Sequence, residues 1–262
     1  MSSSAMQVAM TGLNAQQARI QVISNNLANV NTTGFRRDRA NFESLLYQEY
    51  RPAGAQTSEA TQQTSALAIG TGVRLVSTEK IYSQGALEMT DNALDVAIEG
   101  RGFFQVLMPD GRIGYTRNGS FSQNSDGVLT TSSGYVVQPE IRIPPEATSV
   151  TISRDGIVTV GMPGEVEAEE IGQITLATFA NPRGLEPIGQ TFVVESEASG
   201  APVISDGMSE GTGALVQGSL EASNVNVVQE LVDMIEAQRA YEVNSRSISA
   251  SDEMMRYLSN KL

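Results

Sequence analysis

The 262-residue chain contains no cysteine, no histidine and no tryptophan. Without cysteine there are no disulfides, no thiolate nucleophiles and no sulfur metal sites. Without histidine the chain loses the usual general base and the commonest metal ligand. Aromatic packing is thin, with seven Phe and seven Tyr against 24 Gly. Basic charge is also scarce: 17 Lys and Arg face 30 Asp and Glu, for a formal net charge of −13. Such a surface repels nucleic acid, and no basic patch offsets it. No apolar run approaches the ~18 residues of a membrane span. The N-terminus has neither a basic n-region nor a long apolar h-region, so no cleavable secretory signal is expected. The expectation is a protein without catalytic residues, cofactor or metal, binding no nucleic acid and inserting into no membrane. It is either cytoplasmic or exported by a route that reads no such signal.

What is present is divided along the chain. Residues 1–34 carry one charged side chain, Arg19, and residues 226–262 carry six acids and four bases. That leaves −12 for the middle. Near the N-terminus Met6, Leu13, Ile20 and Leu27 fall on a seven-residue line, flanked by Met10, Ile23 and Val30. At the C-terminus Val227, Met234, Tyr241, Ile248 and Met255 form a second such line, running on to Leu262. A strict seven-residue repeat keeps one seam of a helix facing a partner helix. Asn29 to Gly34 is a dense stop signal, and Asn226 with Gln229 resembles a capping box. The Gln, Asn, Ser and Thr surface of the first helix suits packing against neighbours better than bulk water. An ordinary helical bundle is the plainer alternative.

From about Gly72 to Leu220 the period changes to short alternating runs with glycine punctuation. Strand candidates cover 95–99, 103–107, 134–138, 150–153, 157–160, 174–179 and 191–194. Asp-Gly recurs at Asp110-Gly111, Asp126-Gly127, Asp155-Gly156 and Asp206-Gly207, a hairpin-turn signal between β-rich runs. A barrel or sandwich-like domain is expected. Residues 48–70 are polar and nearly unpatterned, a flexible linker or an extended arm that contacts a partner. The fold class is therefore α+β. Long N- and C-terminal helices (1–34 and 226–262) form a coiled coil, residues 35–72 make an arm, and 73–225 make a central all-β domain of short strands.

Chemistry finds little support. The Asp-Gly pairs lack calcium-loop spacing, and the Gly-x-Gly triplets lack the third glycine or the Lys-Ser/Thr of nucleotide loops. Glu165, Glu167, Glu169 and Glu170 read as a solvated acidic loop or an edge-strand guard rather than a glycosidase pair. Arg36-Arg37-Asp38-Arg39 reads as a basic cluster that meets acidic neighbours on another subunit.

Two stretches carry a resemblance. Thr11-Gly-Leu-Asn-Ala-Gln-Gln17 and Val22-Ile-Ser-Asn-Asn-Leu-Ala-Asn-Val-Asn-Thr-Thr-Gly-Phe-Arg36 closely resemble the N-terminal signature of bacterial flagellar axial proteins, the rod and hook family. Gly218-Ser-Leu-Glu-Ala-Ser-Asn-Val-Asn226 and Leu231-Val-Asp-Met-Ile-Glu-Ala-Gln-Arg-Ala-Tyr-Glu-Val-Asn-Ser245 resemble its C-terminal signature. Asp95-Val-Ala-Ile-Glu-Gly-Arg-Gly-Phe-Phe104 and Tyr115-Thr-Arg-Asn-Gly-Ser-Phe121 are similar to its β domain. The motif residues are Asn25, Asn26, Asn29, Asn31, Gly34, Phe35, Ser223, Asn224, Gln238, Arg239 and Tyr241. Arg36 stands where the family often has Lys, a change expected at a surface charge.

The length, the arm and the 227–241 wording most resemble the distal rod branch, with the proximal rod paralogue of similar size as the alternative. The resemblance implies a structural subunit that passes through the flagellar export apparatus. It then assembles with itself into a hollow helical shaft in the basal body, within the periplasm. Its neighbours would be proximal rod subunits, hook subunits and the surrounding ring bushing, with the seven-residue lines as subunit-packing residues. A secreted, stalked β-domain binding protein is the rival class.

Overall fold

The computed structural model describes residues 2–52, 56–58, 61–62, 64–164, 168–208 and 211–259. The chain is α+β and divides into two units. One contains residues 1–27, 38–79 and 226–262; the other contains 28–37 and 80–225.

The first unit holds both long helices, α1 (Ser2–Ala28) and α2 (Val227–Ser259). α1 stops where the Asn29 to Gly34 signal begins. α2 starts at a true N-cap: Asn226 Oδ1 accepts from the N–H groups of Val228 and Gln229 at 3.1 and 3.2 Å. The return half of the capping box is absent, because the Gln229 amide turns forward to Asp233 at 3.4 Å. The i,i+4 pair Asp252–Arg256 closes at 3.1 Å.

The line that α2 buries most is not the one of large apolar residues. It contains Glu230, Ala237 and Ser251, with Asn244 half-buried between them, again at a seven-residue spacing. Contacts with α1 run in opposite order along the two helices. Asn244 lies against Gly12, Asp233 meets Arg19 at 3.4 Å, and Glu230 meets Asn26 at 3.2 Å. The helices are therefore antiparallel neighbours.

The same unit contains a ribbon of nested strand pairs. Asp38–Ser44 pairs with Val73–Lys80, Gln48–Arg51 with Leu67–Ile69, and Gln56–Ser58 with Thr61–Gln62. Composition alone reads 48–70 as an unpatterned arm. Most of its described residues are instead in antiparallel strands, and residues 53–55, 59–60 and 63 lie outside the described set. The strands Gln48–Arg51 and Leu67–Ile69 are exposed at every position, so no inside-outside alternation is written into them. Arg39–Glu79 and Glu43–Arg74 are ion pairs across its base. Thr11 Oγ1 of α1 accepts from the Val73 N–H at 3.3 Å.

The second unit is all-β among its longer elements. Its largest sheet has nine strands, with Phe103–Leu107 near the middle. That strand pairs with Ile113–Thr116 on one edge, and with both Val136–Gln138 and Thr175–Thr178 on the other. Every pairing is antiparallel, and the described ladder is open and branched rather than closed into a ring.

Phe103 and Phe104 fall in different apolar clusters. Phe104 packs with Val96, Ile98, Leu129 and Leu176; Phe103 packs with Tyr115, Phe179 and Val193. Both faces of the strand are covered, so it reads as a nearly continuous apolar run. Three of the four Asp-Gly pairs turn hairpins between paired strands. At the fourth the chain leaves one pairing for another: Val203–Asp206 pairs with Thr175–Thr178, and Ala214–Gln217 with Val96–Glu99. Glu169 and Glu170 stand exposed on the edge strand of a three-stranded sheet, as an edge guard would. Glu165 and Glu167 lie outside the described residues.

Candidate functional site

The chain crosses between its two units near residues 27, 37, 79 and 225. Within each unit, the segments beside these crossings are tied by a buried polar clasp.

In the second unit the clasp is built on Glu221, which is wholly buried. Its carboxylate accepts from Arg36 Nη2 at 2.7 Å and from the Gly85 N–H at 2.9 Å, and it meets Arg117 Nε at 3.1 Å. The Glu221 carbonyl accepts from the Gly34 N–H at 2.8 Å. Arg36 also donates to the Ser83 carbonyl at 3.0 Å. Arg117 donates to the carbonyls of Gly102 and Gly100 at 2.8 and 2.7 Å. Burial holds the Arg117 guanidinium down to about 10; the charge of Glu221 opposes this and that of Arg36 reinforces it. At neutral pH Arg117 stays charged.

Asn224 extends the clasp. Its side chain accepts from the Arg37 N–H at 2.7 Å and donates to the carbonyls of Ile81 and Ser83 at 2.7 and 3.0 Å. Gly34 sits at φ +69°, and a Cβ there would lie 2.6 Å from the Asn118 nitrogen, so only glycine fits. Phe35 is buried, with Lys80 Nζ 5.3 Å from its ring centroid.

In the first unit the corresponding residue is Asn26, only 1% exposed. Its side chain closes both backbone groups of Asp38, accepting from the N–H at 2.8 Å and donating to the carbonyl at 2.9 Å. It also donates to Glu230 Oε2 at 3.2 Å.

These contacts correct the reading of the basic cluster. Arg36 is not a surface charge awaiting another subunit; it is 5% exposed and pairs with Glu221 of its own chain. Arg39 pairs with Glu79, also within the chain. Isolated in sequence, a run of arginines looks solvated, because nothing nearby reveals an acid 185 positions away.

The motif residues are sorted by the fold. Asn26 and Asn25 meet Asp38, and Gly34, Phe35 and Asn224 build the second clasp. Asn29 accepts from the Thr32 hydroxyl at 3.2 Å, and Ser223 accepts from the Val225 N–H at 3.3 Å. Asn31, Gln238, Arg239 and Tyr241 lie exposed, outside both clasps. On the seven-residue lines, Met6, Leu13, Ile20, Leu27, Met234 and Ile248 are half-buried, while Val227, Tyr241 and Met255 are exposed. Glu221, Arg117 and Glu230 escape sequence reasoning. Glu221 and Arg117 lie within stretches that carry the resemblance, but nothing in the residues around any of the three marks it as buried.

Among the described residues no acidic cluster could hold a metal ion, and no helix is long and apolar enough to cross a membrane. The geometry consists of structural clasps and open apolar surface.

Comparison with known proteins agrees. Three family descriptions match in chain order: flagella basal body rod protein over residues 6–36, the flagellar hook protein FlgE/F/G D1 domain over 97–160, and the flagellar basal body rod FlgEFG protein C-terminal over 216–261. The flagellar basal-body rod protein FlgG of Buchnera aphidicola from Schizaphis graminum is 54% identical over 252 residues, covering 96% of this chain and 97% of that one. FlgG of Caulobacter vibrioides is 45% identical, covering 96% of each chain. FlgG of Bacillus subtilis is 38% identical over 95% of this chain and 96% of its own. Arg36, Arg117 and Glu221 each come from a different one of the three matched segments, so the clasp joins all of them. The chain belongs to the flagellar rod and hook family, on its distal rod branch, a family of structural proteins rather than enzymes.

Proposed function

We propose that this chain is a structural subunit that copies one set of contacts into a hollow helical shaft, the distal rod of the flagellar basal body. In that shaft α1 and α2 form a coiled-coil layer with the helices of neighbouring subunits. The all-β unit, which carries most of the chain's negative charge, faces outward. The shaft joins proximal rod to hook, turns inside a ring bushing in the periplasm, transmits torque and passes exported subunits.

One observation carries the reading: the helix-and-ribbon unit leaves large apolar side chains in water. Val228, Val232 and Ile235 of α2 are 71, 47 and 51% exposed, and Leu46 and Tyr47 at a ribbon bend are 90 and 64% exposed. Monomeric proteins rarely leave contiguous apolar surface of this kind uncovered. A heterologous contact that does not close on itself builds a helix of subunits. The exposed and half-buried positions of the seven-residue lines, Val227, Met234, Tyr241, Ile248 and Met255 on α2 and Met6, Leu13, Ile20 and Leu27 on α1, are then available to neighbours.

The test is assembly of the purified full chain, followed by sedimentation and electron microscopy as concentration rises. Tubes with a central channel are expected, and the double variant Val228→Asp, Ile235→Asp should stay monomeric. A wild-type chain that remains a defined small oligomer at every concentration would overturn the reading.

A further inference from the structure

Beside the Glu221 clasp the second unit opens a cavity of about 330 Å³. It is lined by three arginines, Arg36, Arg101 and Arg117, and by the rings of Tyr82, Phe103 and Phe179. The rings hold one another edge to face, with centroids 5.7 Å apart for Tyr82–Phe103 and 5.9 Å for Phe103–Phe179. Arg117 lies 6.0 Å from the Phe103 centroid.

The charges around this cavity do not balance. Glu221 is the acid that meets Arg36 and Arg117, and the Gly85 N–H shares it. The Nε of Arg36 is buried without an acceptor. Arg101 is exposed and makes no ion pair among the described residues. Two buried cations against one buried anion leave positive charge that desolvation makes costly. A carboxylate entering the cavity relieves that cost, and a guanidinium fork fits it in two-point geometry. The ring walls favour an apolar group attached to the carboxylate.

We propose that this cavity is a carboxylate receptor that takes an exposed Asp or Glu, with its apolar neighbour, from a second copy of this chain. The occupant follows from charge: a cation-rich cavity stands on a chain of net charge −13, with 30 acids of which a few, such as Glu221, Glu230 and Asp95, are buried. In a polymer of identical subunits those acids are the carboxylates at highest local concentration. The inference rests on the rod reading for its occupant, but not for its chemistry.

Benzoate, a carboxylate on an apolar ring, is the probe. Titrated into dilute full-length monomer, it should move the amide resonances of Arg101, Gly102 and Phe103 with saturation. Benzamide and inorganic phosphate should bind at least about tenfold more weakly. Arg101→Glu and Arg101→Gln, at an exposed position, should lower benzoate affinity about tenfold and raise the critical concentration for polymerisation by a similar factor.

Absence of localised shifts, or phosphate binding more tightly than benzoate, overturns the receptor. Benzoate binding combined with normal polymerisation of both Arg101 variants overturns the second-copy occupant. A wild-type chain that never polymerises refutes the rod reading and with it that occupant, while the benzoate titration still decides whether the cavity receives carboxylates.

Discussion

Glu221 and Arg36, 185 residues apart in sequence, meet at 2.7 Å with Glu221 wholly buried and Arg36 only 5% exposed. Because Arg117 approaches the same carboxylate, removing the acid strands two buried cations at once. Glu221→Gln should destabilise the all-β unit by about 3–5 kcal/mol, the cost of breaking a buried pair from one side. Denaturant unfolding of the full chain, followed by near-ultraviolet circular dichroism of the buried aromatics, measures it. Arg36→Lys keeps the charge but not the fork that spans Glu221 and Ser83, so a smaller loss of about 1–2 kcal/mol is expected.

Asn26 tests the other clasp. Asn26→Ala deletes both side-chain bonds to the Asp38 backbone and should cost about 1–3 kcal/mol. Asn26→Asp should cost more, since a carboxylate replaces the amide that faces Glu230 and can no longer donate to it. Amide exchange at Asp38 is the local readout, and its protection should fall in both variants.

Two glycines at similar φ separate backbone strain from steric conflict. Gly34 and Gly111 lie at φ +69° and +82°, but a Cβ at Gly34 would strike backbone, whereas at Gly111 it meets nothing within 4 Å. Gly111→Ala should cost about 1 kcal/mol, the left-handed penalty alone. Gly34→Ala should cost clearly more, because residues 117 and 118 must also shift. Thermal unfolding of the two variants side by side decides it.

Tyr115 gives the fold a pH dependence at its alkaline edge. Burial, and after it the charge of Glu195, raise its phenol above the ordinary value of 10.0. Above that value the unfolded chain has lost a proton that the folded chain keeps. Stability from this group is therefore full below pH 10 and falls as pH rises through the folded value. Tyr115→Phe should flatten that alkaline loss in a urea titration repeated from pH 8 to pH 11. An unchanged slope would contradict the assignment.

How much of this was legible beforehand depends on whether the signal is local. Both helices, the stop after Ala28 and the Asn226 cap are written in adjacent residues, since periodicity and capping act over one or two turns. The buried strands announce themselves for the same reason: covering both faces of Phe103–Leu107 demands a run of apolar side chains. The ribbon strands 48–51 and 67–69 gave no such signal, because strands exposed on both faces need no alternation. The acid that neutralises Arg36 was equally invisible, since a buried ion pair depends on two distant segments arriving at one place.

The sequence by itself determined the helical ends, the β-rich middle, the absence of histidine and cysteine chemistry, and the family. Those properties follow from local pattern and composition, which every short stretch of chain carries with it. Only the tertiary structure decided that Asn26 and Glu221 are the centres of two clasps, and that Arg36 faces inward. It also decided that α2 buries its small and polar line while leaving much of its apolar surface open. Burial is a property of what folds against a residue, and for an assembling subunit part of that covering lies beyond its own chain.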